Sequence, residues 1–201
     1  LTGGASRQTW SFDAVIEHTG RRPETLPLIL RSDKRGGTSF MPRDLEYRLL
    51  EAAHEAGVPV PRVHALGDDS LGAPGFLMAR VEGQTIPRKL LRDDEYTNAR
   101  QVMTAQLGAI LVAIHRISPD APGLEALTRP PQGKTPAEAE LDRFEATYRA
   151  ITPEAHPAFE LAIRWLRRHL PPATDVTLVH GDYRIGNVMF GPEGARAILD
   201  W

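Results

Sequence analysis

The chain closes on Leu178-Val179-His180-Gly181-Asp182-Tyr183-Arg184-Ile185-Gly186-Asn187-Val188-Met189-Phe190, then Ala197-Ile198-Leu199-Asp200-Trp201. This places an Asp, an Asn five positions later and a second Asp thirteen positions after that, with apolar, strand-like runs between and around them. The chemistry of these three residues suits phosphoryl transfer: one carboxylate takes the nucleophile's proton, while an amide and a second carboxylate hold Mg²⁺. Asp182 is the candidate general base, because a hydroxyl attacking phosphorus must be oriented and deprotonated. Asn187 and Asp200 offer the hard oxygens that Mg²⁺ prefers, and two protein ligands suit a metal delivered with its nucleotide. Taken singly, each has an ordinary alternative: Asp182 a turn residue after Gly181, Asn187 a left-handed turn residue, Asp200 a strand end.

Composition narrows the class. Apolar residues make up 41% of the 201 and charged residues 25%, enough for a globular core. The formal charge of −2 and the lack of a Lys/Arg block speak against electrostatic binding to nucleic acid or anionic lipid. No cysteine is present, which removes disulfide and thiolate chemistry and fits a cytoplasmic protein. No apolar run approaches the roughly 18–20 residues of a membrane span, so no membrane partner is expected. The chain starts at Leu1 in a Gly-Gly turn and stops just after Asp200, so both ends read as cuts through a larger domain.

The patterning changes along the chain. Trp10 to Ile16 alternates as a strand, with Trp10, Phe12 and Ala14 on one face, and Leu26 to Arg31 reads as the next strand. Leu45, Leu49, Ala52 and Ala56 predict a helix after Pro42, capped at Gly57. Val63–Leu66 and Phe76–Val81 predict a strand pair. Met103, Leu107, Ile110, Ile114 and Ile117 predict a long helix over 97–117. Further helices are expected near 137–150 and 154–169, with Pro153 in the first turn of the latter. A strand-rich front and a helix-rich back predict two parts, 1–82 and 83–201, meeting near Glu82-Gly83.

The closing motif resembles the catalytic core of the aminoglycoside-phosphotransferase-like (APH-like) small-molecule kinases, and its spacings are similar to those of protein kinases. The resemblance implies an α+β, bilobal protein-kinase-like fold: a β-sheet N-lobe that binds nucleotide, plus a helical C-lobe truncated at Trp201. It implies ATP and Mg²⁺ as cofactors and a small-molecule hydroxyl as acceptor. By the same resemblance, Ser6 in the run Gly3 to Thr9 belongs to a nucleotide-covering loop. Arg31 stands where the family often has a phosphate-contacting Lys, with Glu46 as its natural partner and Lys34 as a possible stand-in. Met78 would lie behind the adenine pocket, Ala79 would offer its C=O and Val81 its N–H. His180 supports the loop, and His115 is read as helix packing. Arg31 after Leu30, and Tyr183-Arg184 after Asp182, resemble the kinase-like domains attached to certain acyl-CoA dehydrogenases. Arg184 is open between contacting an anionic acceptor group and lying on the surface. Gly181 replaces the Arg of the protein-kinase His-Arg-Asp, and Trp201 stands where Phe-Gly would follow Asp200. Neither phosphate-gated control through that Arg nor a flipping loop is therefore expected.

The implied activity is Mg-ATP-dependent phosphorylation of a small-molecule hydroxyl. An aminoglycoside or macrolide antibiotic kinase is one alternative, for which Glu138, Glu140 and Asp142 are the nearby acidic cluster, also readable as a solvated helix start. A nucleotide-binding pseudokinase or interaction module is the other.

Overall fold

The computed structural model describes residues 7–20, 22–33, 41–67, 74–172 and 175–201. Two compact units emerge: Leu1–Ala126 with Thr177–Trp201, and Leu127–Val176. The boundary expected at Glu82-Gly83 lies inside the first unit.

The first unit opens with β1 (Arg7–Ile16) and β2 (Glu24–Asp33), paired antiparallel so that Thr9 faces Arg31 and Trp10 faces Leu30. Helix α1 (Arg43–Glu55) follows, then β3 (Val63–Leu66) and β4 (Gly75–Ala79). The sheet is four-stranded and antiparallel, in the order β1-β2-β4-β3. Helix α1 forms because Leu45, Leu49 and Ala53 recur every four residues and all are buried. They pack towards β3 and β4, where Tyr47 meets Phe76 edge-on at 6.0 Å. Each fully buried Leu there contributes about 1.5–3 kcal/mol. Gly57 ends the helix with φ of 78°, the left-handed geometry expected of a glycine just past a helix.

Beyond the sheet come α2 (Pro87–Arg92), a 3₁₀ turn at Asp94–Tyr96 and the long α3 (Thr97–His115). A 3₁₀ turn at Ile185–Asn187 then leads into the hairpin of β5 (Val188–Gly191) and β6 (Gly194–Ile198). Helix α3 packs on β6, and its Ala99, Met103 and Ile114 are buried. The segment after β4 is tied to the hairpin by reciprocal backbone bonds, the Gln84 N–H to the Phe190 carbonyl at 2.9 Å and the Phe190 N–H to the Gln84 carbonyl at 3.0 Å. Gly83 permits this approach: a Cβ there would lie 2.5 Å from the Phe190 carbonyl oxygen. The Ile198 N–H also donates to the Pro59 carbonyl, at 2.8 Å. The motif hairpin is thus bonded to backbone on both sides of the four-stranded sheet's last strands.

The second unit is a helical hairpin of α4 (Pro136–Ile151) and α5 (Pro157–Arg168). Thr135 and Glu138 form a reciprocal capping box at the start of α4. Helix α5 starts at Pro157 rather than near Pro153, because His156 is its N-cap and the His156 N–H donates to the Tyr148 hydroxyl at 2.7 Å. Arg149 joins Glu145 to Glu160 across the hairpin. Among the described residues no helix is long and apolar enough to cross a membrane.

Candidate active site

The loop before β5 is organised around His180, which is 8% exposed. The Asp182 N–H donates to His180 Nδ1 at 3.3 Å, so Nδ1 is an acceptor and the ring proton sits on Nε2. Nε2 then donates to the Leu199 carbonyl at 3.0 Å. Burial holds the His180 pKa below the ordinary histidine value, consistent with a neutral ring. One imidazole therefore ties the backbone at Asp182 to the backbone just before Asp200. Trp201 covers it, with ring centroids 4.9 Å apart. Gly181 makes the turn with φ of 82°.

Asn187 is buried and ties the same pieces from below. Its amide nitrogen donates to Asp182 Oδ2 at 2.7 Å and to the Asp182 carbonyl at 3.0 Å. Two oxygen acceptors fix which end of the amide is nitrogen, and leave Oδ1 as a hard oxygen donor. The Leu199 N–H donates to the Asn187 carbonyl at 2.8 Å, which sets Asn187 beside the strand that delivers Asp200. Asp200 has φ of 58°, the one described non-glycine residue in the left-handed region. Such backbone costs about 1 kcal/mol or more and clusters at functional positions.

Arg184 settles on Asp182: its Nε lies 3.1 and 3.0 Å from the two carboxylate oxygens. That bond first, and the Asn187 bond second, hold the Asp182 carboxyl below the usual carboxylate range. Asp182 is thus an ionised, exposed carboxylate with two fixed donors. Tyr183 is used structurally, its hydroxyl bonded to the Leu107 carbonyl at 2.9 Å and its pKa pushed up to about 12 by burial.

The sheet supplies the positive charge. Arg31 Nε lies 3.0 Å from Glu46 Oε1, and Nη2 lies 2.9 Å from Asp200 Oδ1. Behind them stands a residue that sequence reading missed. Arg43, 2% exposed, pairs through Nη1 with Glu46, through Nε with Asp33 at 3.1 Å, and through Nη2 with the Met41 carbonyl at 2.6 Å. Its one sequence signal is that a cation at the first position of a helix opposes the macrodipole and calls for anionic partners. Arg80 was also missed: it binds Asp13 at 2.8 Å, Ser11 at 3.2 Å and Glu82 at 3.0 Å, fixing β1 against the end of β4.

Arg31, Asp200 and Arg80 line a cavity of about 330 Å³ together with the apolar Ile29, Met78, Ala79, Val81 and Met189 and the polar Thr9, Ser11 and Glu82. The structure therefore brings Arg31, Glu46, Asn187, Asp182 and Asp200 into one connected network, and lines the same cavity with Met78, Ala79 and Val81. Ser6 and Lys34 lie outside the described residues. Glu138, Glu140 and Asp142 lie in the second unit and are engaged with Thr135, Arg143, and Lys134 with Arg167, respectively. Among the described residues no three His, Cys, Asp or Glu side chains gather as a metal site.

Residues 3–201 match the family described as the phosphotransferase enzyme family, APH. The chain belongs to this family. It is 36% identical over 160 residues to mouse acyl-CoA dehydrogenase family member 10, covering 78% of this chain and 15% of that protein. It is 35% identical over 175 residues to Arabidopsis thaliana IBR3, named a probable acyl-CoA dehydrogenase, covering 79% and 20%. The chain thus spans a fifth or less of the length of these relatives. A crystal structure from Ralstonia eutropha, provisionally described as an aminoglycoside phosphotransferase, superposes with a TM-score of 0.71 at 26% identity, over 96% of this chain and 59% of that one. The fold is the α+β, kinase-like fold expected, and the APH resemblance read from the closing motif holds.

Proposed function

We propose that the chain is a Mg-ATP-dependent kinase that transfers the γ-phosphate to a hydroxyl group of a small molecule. The supporting observation is that Asp182, Asn187, Asp200 and Arg31 are tied into one network, whose members Arg31 and Asp200 line a largely apolar-walled cavity. The apolar wall suits adenine, with the backbone from Ala79 to Val81 as its edge reader and Met78 behind it. Arg31, aimed by Glu46, contacts the α/β-phosphates, and its planar fork favours two oxygens at once. Asn187 Oδ1 and the Asp200 carboxylate are the hard oxygen donors for Mg²⁺, which would offset the charge on the phosphates. Asp182 orients the acceptor hydroxyl and accepts its proton. A carboxylate held ionised is a weak base, so its larger contribution is positioning. A chain without cysteine that works on ATP fits the cytoplasm.

The acyl-CoA dehydrogenases in the relatives' names describe proteins of which this chain matches a fifth or less, and that activity is not carried over. An aminoglycoside acceptor has the Ralstonia neighbour's description in its favour. It gains nothing from Glu138, Glu140 and Asp142, whose charges are already engaged. A pseudokinase is disfavoured by the presence of both Asp182 and Asp200. The test is Asp182→Asn, assayed for phosphate transfer and for binding of a non-hydrolysable ATP analogue. Transfer lost with binding kept is the expected result; unchanged transfer would remove the base assignment.

A further inference from the structure

Arg31 bridges two carboxylates of very different character. Glu46 is 2% exposed and is held from its other side by the buried Arg43. Asp200 is 60% exposed. The inner ion pair cannot open without stranding buried charge, whereas the outer pair is solvated and weak. Burial of the ion pair with Glu46 therefore holds the guanidinium on that side, while its bond to Asp200 at Nη2 is exchangeable. The carboxylate oxygen that Nη2 holds belongs to the residue proposed as a metal ligand. With no cluster of three acidic or metal-ligating side chains among the described residues, a cation at Asn187 and Asp200 depends on further oxygens from its nucleotide.

We propose that Arg31 gates the metal: while its Nη2 is paired with Asp200 it keeps divalent cations off that carboxylate, and nucleotide phosphates release Asp200 by drawing Nη2 to themselves. This rests on the nucleotide-site reading above. It makes metal and nucleotide binding mutually reinforcing, each tightening the other by the same factor. It also gives the Arg at this position a consequence beyond phosphate contact. A single fork holds the buried Glu46 and competes for Asp200 at the same time.

The test uses Mn²⁺, which takes the same hard oxygens, followed by the electron paramagnetic resonance of the free ion in the absence of nucleotide. Fluorescent ADP binding, with and without Mn²⁺, is measured on the same samples, each shown to be folded by its thermal transition. Wild type is expected to bind Mn²⁺ weakly alone, and fluorescent ADP about tenfold more tightly with Mn²⁺ than without. Arg31→Gln keeps a donor for Glu46 but no charge. It is expected to bind Mn²⁺ alone about tenfold more tightly than wild type, with most of the coupling lost. Arg31→Met serves the same purpose if the Gln variant does not fold. Arg31→Lys keeps the charge but not the fork, and is expected to bind Mn²⁺ alone with an affinity between those of wild type and Arg31→Gln. Unchanged Mn²⁺ affinity in Arg31→Gln, with ADP binding intact in wild type, overturns the gate alone. No ADP binding to folded wild type overturns the nucleotide site and the gate together.

Discussion

Arg31 Nη2 lies 2.9 Å from Asp200 Oδ1, although the two residues are 169 positions apart in the chain. One ends the apolar stretch of the second strand and the other follows the last strand. Neither β2 nor the β5–β6 hairpin makes the site alone. The contact exists because Gln84 and Phe190 lace the chain after β4 to the hairpin, and because Ile198 is bonded to Pro59. An exposed pair like this contributes only about 0.2–1 kcal/mol to stability. Its interest is therefore in what it controls.

Arg43 should be the most costly charge in the sheet–helix region to remove. Arg43→Met deletes a buried cation shared by Glu46, Asp33 and the Met41 carbonyl, leaving two carboxylates short of a partner. Urea unfolding should show a loss of about 3–5 kcal/mol. A loss below about 1 kcal/mol would mean that Arg31 alone satisfies Glu46.

His180 predicts a pH dependence of stability with a definite sign. Its native pKa is lowered by burial, while the unfolded chain titrates near about 6.5. Between those two values the unfolded state binds more protons, so stability rises with pH through that window and is complete above about 6.5. Falling pH charges a ring whose Nδ1 must accept from Asp182. Unfolding free energies measured at pH 7.5 and 5.5 should therefore differ more in wild type than in His180→Gln. Equal slopes would contradict the buried, neutral ring.

Gly83 should not tolerate even one methyl group without movement. A Cβ there meets the Phe190 carbonyl oxygen at 2.5 Å and the Met189 side chain at 2.8 Å. Gly83→Ala should cost about 1–3 kcal/mol in thermal or urea unfolding. Wild-type stability in that variant would show that the bridge between Gln84 and Phe190 can shift freely.

Arg184 supplies the first cause of the lowered Asp182 pKa, with Asn187 second. In Arg184→Ala the Asp182 carboxyl should titrate closer to the ordinary Asp range, as followed by carboxyl carbon NMR. An unmoved titration would assign the whole effect to Asn187.

What was legible in the sequence was what is local. Asp182 and Asn187 sit in one loop, and Asp200 follows one hairpin, so their spacing carries their geometry. The Arg31–Glu46 pair was legible through the family resemblance, because its partners come from separate elements and no spacing rule joins them. Arg43 was not legible: a cation in the first turn of a helix calls for anions but does not say which, and its partner Asp33 belongs to a different element. Helix α2 escaped because six residues are too few for a periodic pattern; its formation depends on burying Leu90. The start of α5 was misplaced because Pro153 and Pro157 are equally good first-turn residues. Only the tertiary bond from His156 to Tyr148 distinguishes them. Arg184 was open between substrate and surface, and the structure gives it Asp182 instead.

The most direct test of the kinase-site reading is calorimetric titration of this chain with a non-hydrolysable ATP analogue, with and without Mg²⁺, beside Asp200→Asn. Wild type is expected to bind the analogue more tightly when Mg²⁺ is present, and this Mg²⁺ dependence is expected to be lost in Asp200→Asn. Failure of the folded wild-type chain to bind, or identical Mg²⁺ dependence in the variant, would contradict that reading.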